Sequence, residues 1–305
     1  MALTLLQIVQ AATGEMGIAV PSTVVGNASQ DPTQLLYLAN GLLRDLVREK
    51  EWQALIVEYR FSAVYYTYTG NLTDGSATVA SMSSTTGLTT TPTYFMPVGT
   101  GILQDTYLTA AGGGTVTLSN AANASGTAVS ITFSQTKYVL PTGFDRLINN
   151  TDWDKSKHWQ MLGPETAQQW QWLKSGYIST GPRIRFRVLG GFFQIWPPMG
   201  TDDQLGFEYV SNLGVLAAAD VVTPSKASFT VDTDTCIWPD QLMVQGLKHR
   251  YFKAKGFGDD YLADYQRELS IAKGNDAGAP TLSMAPQLSR TLMDWSQIPD
   301  SSFGS

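Results

Sequence analysis

The groups in this 305-residue chain that could do chemistry are few: two histidines, one cysteine and some clustered acids. His158 sits among Lys155, Lys157 and Trp159, with Asp152 and Asp154 close enough in sequence to orient an imidazole for acid/base work. His249 lies far away in a basic helical segment, and no serine or cysteine nucleophile pattern accompanies either residue. Two isolated histidines do not make a metal site. Asp232-Thr-Asp234 lacks the glycine and the distal glutamate that a calcium loop needs in register, so it predicts a turn. Cys236 has no partner for an intrachain disulfide and reads as a buried, neutral thiol. No pair of carboxylates is set apart by its context for glycoside hydrolysis. The expectation is a protein that is not an enzyme and uses no cofactor and no metal.

Binding chemistry is better represented. Arg183, Arg185 and Arg187 alternate with Ile184, Phe186 and Val188, which gives a strand with one core face and one row of guanidinium groups. Such a row suits bidentate pairing with carboxylates or phosphates. The chain carries 26 acidic against 20 basic residues, a formal net charge of -6, which argues against non-specific nucleic-acid binding. Carboxylates of a neighbouring subunit are therefore the expected partners of these arginines. A second candidate is the segment after Gly274, where Leu288, Leu292, Trp295 and Ile298 are scattered among Gly, Pro, Ser and Ala. Too broken to build a core of its own, it should order against a partner.

These groups must be positioned by a mixed framework. Leu5, Ile8, Val9 and Ala12 recur at helical spacing after Thr4, a candidate N-cap, with Gly14 able to close the helix. Gln7 and Gln10 interrupt the opening apolar run and no basic residues precede it, so neither a signal peptide nor a membrane span is expected. From Asp31 to about Lys50 a second helix is predicted, with Asp31 as cap, Pro32 in the first turn and Gln34 completing a capping box. Its apolar stripe is Leu35, Leu38, Ala39, Leu42, Leu46 and Val47. Arg44, Asp45, Arg48, Glu49 and Lys50 form the outer face, either solvated or paired with another subunit. A long strand through Val57, Tyr59, Phe61 and Ala63 follows.

Between Arg60 and Lys137 there is no lysine or arginine, and Thr, Ser, Gly and Ala dominate. Short strands at Ala77 to Met82, Thr106 to Ala110, Thr115 to Leu118 and Val129 to Phe133, separated by glycine turns, suggest a small sandwich or barrel. Within it Tyr94, Phe95 and Tyr107 offer stacking surfaces. Tyr138 to Leu140 re-enters the flanking framework. A helix opens near Pro164 and buries Trp170 and Leu173. Arg183 to Leu189, a Gly190-Gly191 turn, Phe192 to Trp196 and Leu205 to Val210 read as a β-meander. Pro239 begins a basic helix, and Asp259 caps another that runs to about Lys273, making an αα-hairpin.

The predicted fold class is α+β: a helical bundle core with an antiparallel β-sheet, an inserted small β-sandwich or barrel, and an extended C-terminal tail. The predicted organisation is a discontinuous core over 1–70 and 134–273, an all-β module over 71–133 and a tail over 274–305.

LLYLANGLLRDLVREKEWQAL, FDRLINNTDWDKSKHWQMLGPETAQQWQWLKSG and WPDQLMVQGLKHRYFKAKGFGDDYLADYQREL together resemble the head-to-tail adaptor proteins of short-tailed and related bacteriophages. The segment from Ser76 to Phe133 is similar to small β-modules of phage structural proteins. The resemblance implies a virion component at the head-tail junction, assembled in the host cytoplasm. It implies a homo-oligomeric ring, a dodecamer, seated under the portal protein and contacting tail nozzle or fibre proteins. Such a ring encloses DNA without sequence-specific binding and involves no membrane. On that basis Leu288, Leu292, Trp295 and Ile298 are expected to dock into the portal, and Arg183, Arg185 and Arg187 to make inter-subunit contacts. The alternative is a receptor-binding or fibre-attachment tail protein that uses its β-insert to recognise a carbohydrate or hold a fibre.

Overall fold

A computed structural model describes residues 2–90, 94–175, 183–218, 222–257 and 261–277. Its first half runs α1 (Leu5–Met16), α2 (Gln30–Glu49), a 3-10 turn (Gln53–Leu55), β1 (Ile56–Ser62), β2 (Tyr65–Leu72), β3 (Thr78–Val79), β4 (Phe95–Val98), β5 (Leu108–Gly112), β6 (Thr115–Leu118) and β7 (Gly126–Gln135). It continues with β8 (Lys137–Val139), β9 (Phe144–Leu147), β10 (Trp153–Asp154), β11 (Trp159–Gln160), α3 (Ala167–Lys174), β12 (Arg185–Leu189), β13 (Phe192–Trp196), β14 (Gln204–Ser211), β15 (Val215–Leu216), β16 (Thr235–Cys236), α4 (Asp240–Ala254) and α5 (Leu262–Ala277). The protein is thus mixed α+β, with its described strand pairs within the sheets antiparallel. No described helix is long and apolar enough to cross a membrane.

The chain divides into two compact units. The first takes residues 2–57, 143–147 and the described residues from 209 onward; the second takes 58–142 and 148–208 as far as they are described.

In the first unit α4 packs against α1, α2 and α5. That central position explains its burial of Leu242, Met243, Val244 and Leu247, and also of Lys248 and His249. The expected basic helix is therefore not a basic face. Lys248 pairs with Glu15 of α1 at 2.7 Å, Arg250 with Asp45 of α2, and Lys255 with Asp31 at 3.3 Å. Asp31, expected to cap α2, lies inside the helix and accepts hydrogen bonds from Tyr251 Oη and Lys255 Nζ. Ser29 is the N-cap and gives no side-chain bond, so the predicted capping box does not form. Thr4 and Gln7 do form one at α1, where Leu5, Ile8, Val9 and Ala12 are fully buried. The helix runs past Gly14 and closes at Gly17. Asp259, the expected cap of α5, is outside the described residues.

In the second unit β2–β7–β4 and β3–β6–β5 make two three-stranded sheets that share one buried cluster, including Leu72, Val79, Phe95, Leu118, Ile131 and Phe133. β4 carries Pro97 and was not expected as a strand. It sits at the edge of its sheet, where a missing amide donor costs no ladder bond. The single long strand expected after Trp52 breaks at Ala63 and Val64. There Ala63 N donates to Asp203 O at 2.9 Å and Val64 N to the buried Tyr138 hydroxyl at 3.2 Å. β1 and β2 consequently join different sheets.

The hairpin of β12 and β13 has the expected register, from Arg185 opposite Trp196 to Leu189 opposite Phe192. Gly190 and Gly191 turn it with φ of 61° and 80°, the left-handed geometry that a tight hairpin requires. The third strand of this sheet is β8, and β14 pairs with β10 instead. β8 takes the edge of β13 that a third meander strand would need, with Val139 opposite Phe192, Tyr138 opposite Phe193 and Lys137 opposite Gln194. The buried aromatic rings of Phe186, Phe193 and Phe207 stack at 5.0 and 4.8 Å between centroids.

Candidate interaction surfaces

The groups first considered for chemistry have structural roles. Asp154 Oδ1 accepts from the amides of Ser156 and Lys157 at 3.1 and 3.0 Å, closing the turn between β10 and β11 on which His158 sits with φ of 56°. Burial pushes the Asp154 carboxyl up, opposed by those turn amides and reinforced by the Asp203 charge. Asp152 is buried, its Oδ1 has no hydrogen-bond partner among the described residues, and burial pushes its carboxyl up to about 7. Its Oδ1 makes no bond to an imidazole among the described residues.

The Asp232-Thr-Asp234 turn is a structural clasp. Asp232 accepts from the amides of Val24 and Val25, at 3.1 and 2.7 Å. Asp234 accepts from the amides of Thr230 and Val231 and pairs with Lys226 at 2.8 Å. Burial opposes ionisation of Asp234, but those donors prevail and hold its carboxyl below the ordinary value. The backbone carbonyls of the same two residues receive the Leu5 and Leu6 amides and so anchor the start of α1. Cys236 is buried, donates to Trp238 O at 3.7 Å, and burial pushes its thiol up to about 12. Among the described residues no cluster of three His, Cys, Asp or Glu side chains could hold a metal.

The outer face of α2 separates into two sets. Asp45 meets Arg250, Glu49 meets Lys273 at 2.5 Å, and Lys50 meets Asp276 at 2.9 Å, so these charges fasten α2 to α4 and α5 within the chain. Among the described residues Arg44 donates to the carbonyl of Asn40 one turn earlier and neither it nor Arg48 has an ion-pair partner. Together with Tyr37, which is 71% exposed, they line a groove of about 460 Å³ whose floor includes Val47. Tyr37 falls outside the apolar spacing of the Leu35 stripe, and this was the signal in the sequence: an aromatic residue on the polar side of an amphipathic helix.

The arginines of β12 are placed as expected relative to the core, with Ile184 and Phe186 buried. Arg185 is engaged inside the chain by Glu165 at 2.8 Å, while Arg187 is half-buried. Arg183 precedes the strand. Leu288, Leu292, Trp295 and Ile298 lie outside the described residues. Of the three aromatics expected to offer stacking surfaces, Phe95 is only 2% exposed and belongs to the buried cluster, whereas Tyr94 and Tyr107 remain accessible.

No curated protein matches the chain. A family profile described as SU10 adaptor protein matches residues 115–287, from β6 through α5, which is more than half of the chain. The chain therefore belongs to the SU10 adaptor protein family and is a phage adaptor-type protein.

Proposed function

We propose that this protein is a structural head-to-tail adaptor that forms a homo-oligomeric ring beneath the portal, joins the capsid vertex to the tail and continues the DNA channel. The family match over 115–287 carries this reading. The physical features support it. An acidic balance of 26 to 20 lets packaged DNA slide past without adhering. The cross-helix ion pairs of α2, α4 and α5 tie the helices to one another while leaving Tyr37, Arg44 and Arg48 available to a neighbour. The work of the protein is binding, without bond-making chemistry.

Within this reading the ring is a dodecamer, the arginines flanking and within β12 contribute to subunit contacts, with Arg185 held in place by Glu165, and residues 274–305 are the portal anchor through Leu288, Leu292, Trp295 and Ile298. The segment 71–133 is a β-sandwich module inserted in the sequence of a core whose helices form a bundle, and tail nozzle or fibre proteins are further partners.

The test is the mass of the full chain with and without portal rings, measured by mass photometry. A portal-dependent increment of about twelve copies is expected by this reading, and no association with portal would reject it. Because α5 runs to Ala277 and its Asp276 holds Lys50, the cut belongs beyond that helix: deleting residues 278–305 should abolish that association while the protein stays folded, and undiminished capture by portal would reject the tail as the anchor.

A further inference from the structure

A cavity of about 310 Å³ opens in the second unit, beside β4, β8 and α3. Its floor is apolar, formed by the buried rings of Trp170 and Trp196. Tyr94 and Tyr107 stand at its wall with centroids 6.0 Å apart and planes at 80°. Two lysines point into it. Lys174 is paired with Asp105 at 2.9 Å. The Lys137 ammonium lies 3.8 Å above the Tyr94 ring, and no carboxylate among the described residues is within ion-pair distance of it. Burial and then the Lys174 charge push Lys137 below its ordinary value. The cavity therefore holds two cations against one anion, and the surplus charge is partly desolvated.

We propose that this cavity binds a carboxylated sugar, a hexuronic acid, with the carboxylate on Lys137 and ring hydroxyls on Asp105 and the buried Gln194 amide. The composition of the site selects this class. A surplus ammonium that is partly desolvated and supported by a tyrosine face recognises an anion. Asp105 in the same cavity disfavours a ligand that is anionic throughout, so the ligand must present hydroxyl donors beside its charge. The volume is at the small end of ligand sites and accommodates one ring. Tyr107, 44% exposed, supplies an apolar face at the mouth for the C–H side of that ring. The inference rests on the second unit alone and does not depend on the adaptor reading.

The experiment titrates the full-length protein with D-glucuronate, D-glucose and L-glutamate, read by saturation-transfer NMR and tryptophan fluorescence. Glucuronate should bind with a Kd of about 1 mM, as suits a ligand of this size, and roughly tenfold more tightly than glucose or glutamate. Lys137→Gln should weaken glucuronate by roughly tenfold and leave the small glucose response unchanged. Tyr107→Ala, at an exposed position, should weaken binding with an unaltered circular-dichroism spectrum. Equal affinity for glucuronate and glucose overturns the proposal, as does an unaltered affinity in Lys137→Gln. Glutamate binding as tightly as glucuronate would assign the cavity to a peptide carboxylate and overturn the sugar.

Discussion

Gly246 on α4 meets Leu42 on α2 so closely that a methyl group on the glycine would sit 2.7 Å from Leu42 Cδ2 and 3.1 Å from the Tyr265 ring. Leu42 is fully buried, so it has little room to yield. A helix-interior glycine normally costs roughly 1 kcal/mol against alanine. Here that cost is offset by the close approach of two helices.

Gly246→Val should therefore destabilise the protein. Overpacking a filled core costs about 1–3 kcal/mol, and a β-branched side chain recovers little of it through helix propensity. The urea midpoint should fall accordingly. Gly274→Ala, in α5 where an added Cβ meets nothing within 4 Å, is the control and should be neutral or stabilising. Equal midpoints for Gly246→Val and wild type would show that α2 and α4 are not packed as described.

Asp234→Ala should loosen the clasp that receives α1. The carboxylate satisfies two backbone amides and Lys226, and its removal takes the partner from these partly exposed donors at a cost of about 1–2 kcal/mol. The pH dependence has a definite sign. Because the folded carboxyl is held below its ordinary value, its stabilising contribution is complete above about pH 4 and is lost as pH falls through the lower folded value. Wild type minus variant stability, followed by chemical denaturation from pH 6 to pH 2, should shrink towards acid. A difference that stays constant over this range would refute the assigned role.

Asp152 behaves in the opposite sense. Its folded carboxyl titrates at about 7 against an ordinary 3.8, so between those values the unfolded chain ionises and the folded chain does not. Stability attributable to this group falls as pH rises from about 4 to about 7, by about 4 kcal/mol in total at 1.36 kcal/mol per unit. Asp152→Asn removes the titration. Its stability relative to wild type should climb across that interval and level off above it. A flat difference in urea midpoint from pH 4 to pH 8 would place Asp152 in contact with water.

Elements fixed by neighbours in sequence were legible and those fixed by distant partners were not. Thr4 with Gln7, and Gly190 with Gly191, are local devices, and α1 and the β12–β13 hairpin follow them. Lys248, Arg250 and Lys255 look like the charges of a basic helix until Glu15, Asp45 and Asp31 arrive from more than 200 positions away. The same holds for β13, whose second partner β8 comes from well upstream in the chain and not from the strand that follows it. Spacing cannot reveal which half of a charged helix face finds partners inside the fold. Asp45, Glu49 and Lys50 did, whereas Arg44 and Arg48 were left at a groove beside Tyr37.

That groove leads to a prediction that separates assembly from folding. Tyrosine and arginine are, with tryptophan, the side chains enriched at interface hot spots. Tyr37 is exposed and Arg48 has no ion-pair partner among the described residues, so removing either costs the isolated chain little, within about 0.5 kcal/mol for a surface site. Tyr37→Ala and Arg48→Glu should therefore keep the wild-type melting temperature while reducing ring formation on portal by at least roughly tenfold in concentration dependence, since a hot-spot truncation costs about 2 kcal/mol or more. Asp45→Ala, which acts inside the chain on Arg250, should show the reverse pattern, with a small loss of stability and normal assembly. If Tyr37→Ala assembled like wild type in mass photometry, the groove on α2 would face solvent in the proposed ring and the subunit contacts would have to be sought around β12.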